Sequence, residues 1–176
     1  MIYLLVLLGA ILYTSYFEWV LHKRVMHKPL WGFRYPFKAH AQVHHKLYKA
    51  DETYHLGDRD WSIAKTITMA RWNIFVLLPI AGLPWYILAW ILRDPWLAAI
   101  PTIVIALYYV TYEYLHWCMH LPKKRRLEKS WAFKALDKHH RLHHLCMNKN
   151  FNVVLPLADL MLGTLILHPP ERLSRS

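Results

Sequence analysis

The run Trp96-Leu-Ala-Ala-Ile-Pro-Thr-Ile-Val-Ile-Ala-Leu-Tyr-Tyr-Val-Thr-Tyr-Glu-Tyr-Leu115 leads directly into His116-Trp-Cys-Met-His120. The apolar part carries only one charge, Glu113, and is long enough to cross the hydrocarbon core of a bilayer. The two histidines that follow are four apart, the spacing at which side chains share one face of a helix. A membrane-length helix that ends in paired imidazoles sets the reading of everything around it. The solvent is lipid, and a metal site is expected where the helix leaves it.

Two further segments have the same character. Met1 to Val20 is apolar except for Glu18. No basic residue precedes it and no small-x-small cleavage site follows before Glu18, so it is expected to stay as an anchor helix from about Ile2 to Leu21. Trp72 to Leu92 is interrupted by Pro79, Gly82 and Pro84, which fits either one kinked span or two half-helices meeting in the membrane. Arg93-Asp94-Pro95 is the turn before the third run, with Trp85, Tyr86, Trp90 and Trp96 placed for an aromatic belt. The expected fold is therefore an all-α integral membrane protein of about three spans, one domain over residues 1–176, in which 56% of residues are hydrophobic.

The formal charge is +11, and its distribution gives it a meaning. Ten Lys or Arg lie between Lys23 and Arg71 and eleven beyond Trp117, leaving Arg93 as the only other one. Positive loops stay cytosolic, so both basic regions are placed on that side, in a bacterial inner membrane or an endoplasmic reticulum. Anionic headgroups and an acidic electron donor are the natural partners. No nucleic-acid motif accompanies the charge, and nucleic acid is not an expected partner. Cys118 and Cys146 fall on the same side, where a disulfide is disfavoured, and read as small buried hydrophobes.

With the spans placed, every histidine group falls on one face of the membrane. The groups are His22 and His27; His40, His44 and His45; His116 and His120; and His139, His140, His143 and His144. Of 13 histidines only His55 and His168 stand apart, and both read as surface groups. The pairs His40/His44, His116/His120, His140/His143 and His140/His144 sit at helical spacing, while neighbours such as His44-His45 and His143-His144 diverge by about 100° and can reach two different ions. His22 and His27 are about 140° apart on an ideal helix, so one lies past a helix end or the pair brackets a site between two ions. Counting His22, His27, His40, His44, His45, His116, His120, His140, His143 and His144 gives ten imidazoles. Two octahedral ions would then each keep about one position open, which suits a redox pair rather than closed structural zinc. Imidazole itself accepts iron, zinc, copper or nickel.

Carboxylates precede several of these histidines at helical spacing: Glu18 before His22, Glu113 before His116, Asp137 before His140. They are the expected hydrogen-bond partners of the outer ring nitrogens. His139, four before His143, either replaces His140 or stands behind the ligands. The tail from Phe151 to Leu167 is apolar but broken by Pro156, Asp159 and Gly163, and is expected as a helix packed at the membrane surface.

The spacing H-x4-H, H-x3-H-H, H-x3-H, H-x2-H-H, followed by Asn150-Phe-Asn-Val-Val-Leu-Pro-Leu-Ala-Asp159-Leu-Met-Leu-Gly-Thr164, resembles the fatty acid hydroxylase/sterol desaturase superfamily of membrane di-iron enzymes. The likeness runs from about His22 to Thr164. It implies two irons held by the ten histidines counted above, O2 as co-substrate, and hydroxylation or desaturation of a lipid C–H bond. Zinc, which binds nitrogen ligands more tightly, could displace the iron on purification. The chain carries no fused haem-binding donor domain, so a separate ferredoxin or cytochrome is expected to supply electrons. It also has three spans where larger members have four. The small size resembles bacterial carotenoid 3-hydroxylases of the same superfamily, while the Asn150–Thr164 stretch favours the lipid hydroxylase branch.

The expected reaction is thus hydroxylation of a fatty acyl or sterol-like chain that enters from the bilayer, with Phe17, Tyr108, Tyr109, Tyr112 and Trp117 as candidate wall residues. Lys123, Lys124, Arg125 and Arg126 are candidates for docking the donor. The alternatives are a carotenoid hydroxylase, a desaturase, and a membrane zinc-binding or transport protein. The last would place ligands on both sides of the membrane. A zinc hydrolase would need a carboxylate base among its histidines, as in H-E-x-x-H, and that motif does not occur.

Overall fold

The computed structural model describes residues 1–57 and 61–170. Its regular elements are all helices, and three of them are long and apolar enough to cross a membrane. Helix α1 covers Ile2–Leu21, α2 Asn73–Leu92 and α3 Trp96–His120. Leu4, Leu8, Phe75, Trp90, Ile103 and Leu107 are exposed along them. Apolar surface on this scale is stable only against lipid or another protein.

Helix α2 is continuous through Pro79 and Pro84, so the second apolar run is one span rather than two half-helices. Its end is set by Arg93, which takes a left-handed conformation (φ 53°), and Asp94 Oδ1 then accepts the backbone N–H of Trp96 to start α3. The Tyr3 hydroxyl donates to Asp94 Oδ2 at 3.2 Å, tying the start of α1 to this turn. The first and second spans also meet lower down, where Tyr13 donates to the carbonyl of Ala81 and its ring stands edge-on to Trp85. Helix α3 packs against both, and it runs five residues past Leu115 to His120.

At the end away from that turn the segments carrying histidine form a cap. Helix α4, Trp131–Leu145, starts at Ser130, whose Oγ accepts the N–H of Phe133 as an N-cap. One face of α4 buries Phe133, His139, His140, Leu142, His143 and His144, while Lys134, Lys138 and Arg141 are exposed on the other. Two short apolar cores support the cap. One joins Tyr54, Tyr112, Leu115, Cys118, Met119, Phe133 and Val153. The other joins Tyr48, Leu56, Ala64, Ile67 and Leu121, with Trp117 packed against it.

The tail differs from the expectation. Only Leu157–Met161, helix α5, is helical, and the remainder from residue 151 to 167 is irregular. The cause is a set of side chains that take over backbone hydrogen bonds. Asp159 accepts from the N–H of Phe151 (2.9 Å), the N–H of Asn152 (2.7 Å) and the hydroxyl of Thr164 (2.6 Å). Asn150 donates to the carbonyls of His139 and Ile166 and accepts the N–H of Ile166. Gly163, at φ +67°, makes the reversal after α5 that returns Thr164 to Asp159. Ser15 and Trp19 of α1 bond to Leu155 and Thr164, so the tail is clasped to the first span.

Candidate metal centre

The cap brings ten histidines together as two groups of five, each able to hold a metal ion. His22, His27, His40, His45 and His143 form one group, and His44, His116, His120, His140 and His144 form the other. Within each group the ligating nitrogens lie within 4.8 Å of one another. The groups abut: the ring centroids of His45 and His144, one from each, are 4.3 Å apart.

The division follows from the local backbone. His22–Met26 and Lys38–His44 are turns of π-helix, in which the N–H bonds to the carbonyl five residues back. His27 N–H thus bonds to His22 O at 3.1 Å, and the two rings stack with centroids 5.1 Å apart. In the second segment His45 N–H bonds to His40 O, and their Nε2 atoms stand 3.0 Å apart. The wide turn corrects the pairing expected from α-helical spacing: His40 belongs with His45, and His44 crosses to the second group. On α4, an ordinary α-helix, His140 and His144 share a group and His143 turns away to the other.

Five of the ten outer ring nitrogens are held by backbone carbonyls, and none of these five by a carboxylate. Nδ1–H of His22 donates to Phe151 O (2.5 Å), that of His44 to Thr66 O (3.2 Å), and that of His120 to Tyr54 O (2.7 Å). His143 and His144 donate likewise to Lys149 O (2.7 Å) and Tyr48 O (2.5 Å). Glu18, Glu113 and Asp137 bond elsewhere, which corrects the expected pairing. Glu18 accepts from the N–H of Val153, the amide of Asn152 and the hydroxyl of Tyr108. Glu113 accepts the N–H of Met69, and Asp137 accepts the hydroxyl of Tyr54. Glu18 and Glu113 each meet an N–H of an irregular segment crossing the helix, where buried N–H groups have no ladder to satisfy them. Their effect on the histidines is indirect. Glu18 fixes the segment whose Phe151 carbonyl holds His22, and Asp137 fixes Tyr54, whose carbonyl holds His120.

These bonds decide the chemistry of the inner nitrogens. A carbonyl only accepts, so Nδ1 carries the proton and a neutral ring presents a lone pair at Nε2. His44 and His144 are both in that state, and their Nε2 atoms face each other at 3.3 Å. A second proton is excluded at neutral pH, because burial pushes His44 well below its ordinary value and His144 down to about 3. Burial likewise lowers His27, to about 4, and His40, His45, His140 and His143. Lone pairs at this separation repel unless a cation lies between them. Cis ligands with bonds of roughly 2.1 Å would stand about 3 Å apart, and the neighbouring Nε2 pairs within the groups lie at 2.8 to 3.3 Å. His116, buried, has no hydrogen-bond partner for Nε2. The donor set fits a pair of cations that accept five imidazoles each.

His139 joins neither group. Its Nε2 lies 3.1 Å from Asp159 Oδ2, behind the ligands. His55 and His168 are exposed, and Cys118 and Cys146 are buried, free thiols outside both groups. Asp58, an acidic neighbour of His55 in the sequence, lies outside the described residues.

Between the spans, below the cap, lies an apolar cavity of about 460 Å³. Phe17, Tyr108, Tyr109 and Tyr112 line it, and so do Leu77 and Ile105. Glu18 and His22 are also on its wall, so it reaches the first histidine group. Trp117 is not on it; that ring is turned toward Tyr48 and Leu121 on another face of α3. Sequence reasoning missed Met69 and Asn73, which line the cavity from the segment before and the first turn of α2. It also missed the five carbonyls, for which no side-chain signal exists. The Asn150-x-Asn152 pair was the readable trace of the tail that carries one of them.

The model of the fatty acid hydroxylase family matches residues 7–164. The chain belongs to this family. No curated protein and no solved structure matches it. The matched stretch takes in all ten clustered histidines and the tail as far as Thr164. For a member of this family, two five-histidine groups fit a di-iron site.

Proposed function

We propose that this fatty acid hydroxylase family member is a membrane-bound di-iron oxygenase that hydroxylates a C–H bond of a long-chain lipid, using O2 and electrons from a separate carrier. The observation that carries the reading is the apolar cavity whose wall includes His22. It puts a hydrocarbon-lined space against a group of five imidazoles. Two irons bound to the ten histidines would supply the redox chemistry that activates O2.

The chain's own residues do the rest. His22, His44, His120, His143 and His144 are fixed as Nδ1–H tautomers by carbonyls, so each offers a lone pair without reorganisation. Phe17, Leu77 and Ile105 exclude water and hold an alkyl chain. Tyr112, at the cap end of the cavity with its ring tilted 30° to that of His116 at 5.7 Å, sets how far the chain advances. The concentration of Lys and Arg in the two segments of the cap supports a cytosolic side for it.

The test compares lipids of cells expressing the wild type or His143→Ala/His144→Ala under heavy-isotope O2. The expected result is a lipid that has gained one labelled oxygen in the wild type alone. A product lacking two hydrogens would make the chain a desaturase. A change in zinc content with no altered lipid would overturn the oxygenase reading.

A further inference from the structure

Among the described residues, two pockets reach both histidine groups: one is lined by His40, His44 and His116. The other is an opening of about 550 Å³ whose lining includes His45, Lys46, Lys49, His144, Leu145 and Met147. His45 belongs to one group and His144 to the other, and each is 8% exposed. A molecule resting in this opening is therefore separated from either group by the depth of one ring.

The surroundings are cationic with an apolar floor. Lys46 and Lys49 line the opening itself. On α4, Lys134, Lys138, Arg141 and Leu145 recur at steps of four, three and four, so they form one stripe that ends at the opening. Arg141 reaches from it to the carbonyls of Ala50 and Asp51 and lies over the ring of Tyr54. Leu145 and Met147 are exposed at the centre, at 39% and 52%. Asp51 is the one acidic group lining the opening. None of the four lysines makes an ion pair among the described residues. By contrast, the run Lys123–Arg126, which the sequence suggested for a donor, is partly committed: Arg125 pairs with Glu128 and Lys123 lies over Trp61.

We propose that the surface formed by Lys46, Lys49, Lys134, Lys138, Leu145 and Met147 docks an acidic one-electron carrier protein. This rests on the oxygenase reading above. The carrier's rim carboxylates would meet the lysines, its apolar centre would meet Leu145 and Met147, and its redox centre would face His45 and His144. The carrier is the species oxidised, by one electron per encounter, and the metal pair is the acceptor. A patch built this way gives orientation and a salt-dependent association rate more than tight binding.

The experiment uses the metal-loaded full chain in phosphatidylcholine nanodiscs with an acidic [2Fe–2S] ferredoxin as probe. Binding is read at low and high salt, alongside reduction of the metal centre by reduced ferredoxin and by methyl viologen radical. Lys46→Glu/Lys49→Glu and Lys134→Glu/Lys138→Glu should each weaken ferredoxin binding at least tenfold and slow reduction by it equally. Reduction by methyl viologen should stay within twofold. Lys123→Glu/Lys124→Glu, at the other basic run, should bind ferredoxin within twofold of wild type. Equal loss in that control, or no binding by the wild type, overturns the proposal. So does a loss of affinity for phosphatidylglycerol nanodiscs alone, which would assign the lysines to lipid headgroups. A metal centre that methyl viologen itself cannot reduce would instead remove the oxygenase reading, while the binding comparison would still stand.

Discussion

His139 Nε2 and Asp159 Oδ2 stand 3.1 Å apart in a wholly buried contact that links the last histidine helix to the irregular tail. Asp159 also holds the N–H groups of Phe151 and Asn152 and the hydroxyl of Thr164. Asp159→Ala leaves these buried donors without an acceptor, at about 1–3 kcal/mol for each. The expected loss is large enough to unfold the cap, read as a lowered melting temperature and loss of bound metal together. Thr164→Ala removes one of these bonds and should cost about 1 kcal/mol. Equal, small effects of both substitutions would show that the tail does not anchor His22.

Acid should weaken the metal-free protein in two steps. Burial holds His27 near 4 and His144 near 3, below the histidine value of about 6.5 in an unfolded chain. A depressed folded value means that stability is full above the unfolded pKa and is lost as pH falls toward the folded one, so the first decline runs from about 6.5 to 4 for His27 and on to about 3 for His144. For Asp159 burial acts upward, but the bonds from His139, Thr164, Asn152 and Phe151 outweigh it and hold its carboxyl below the usual value. Its contribution follows the same sign and is lost at lower pH still. Denaturation of metal-free protein between pH 8 and 4 measures the first step, and a flat profile would contradict it.

Metal stoichiometry should follow the two groups. His40→Ala/His45→Ala removes two ligands from one, and His44→Ala/His144→Ala removes two from the other. Each variant is expected to fall from about two bound ions per chain to about one, measured by elemental analysis. His139→Ala should keep two. Loss of both ions in either double variant, with the fold intact by circular dichroism, would mean a single shared centre.

Filling the cavity should separate metal from turnover. Leu77→Trp adds bulk to its wall, and Ile105→Phe does so from α3. Both are expected to retain two ions while formation of the oxidised lipid drops at least tenfold. Trp117→Phe, on another face of α3, should leave the product unchanged. If Trp117→Phe alters the product and Leu77→Trp does not, the lipid lies elsewhere.

The three spans and the one-sided histidines were readable because both depend on composition and order along the chain. Pairing within the centre was only partly readable. The α-helical repeat grouped His140 with His144 correctly, but it also joined His140 to His143, which lies in the other group, and it joined His40 to His44 because nothing in Lys38–His44 announces a π-helical turn. The roles of Glu18, Glu113 and Asp137 were misjudged for a related reason. Spacing places them near His22, His116 and His140, yet the N–H of Val153, the N–H of Met69 and the hydroxyl of Tyr54 reach them across the fold. The tail was read as a surface helix from its apolar stretch Phe151 to Leu167, whereas Asn150, Asn152 and Asp159 decide its path.

The two wide turns have a consequence for how the chain can change. Between His22 and His27, and again between His40 and His45, exposed side chains such as Arg24 and Gln42 are free to vary while His44 and buried Met26 are not, and the number of residues is fixed. Removing one residue from either interval would let an ordinary helix form and swing the second imidazole away from its neighbours. An added residue would do the same in the opposite sense. These intervals act as gauges of chain length: they should accept many substitutions and no insertion or deletion.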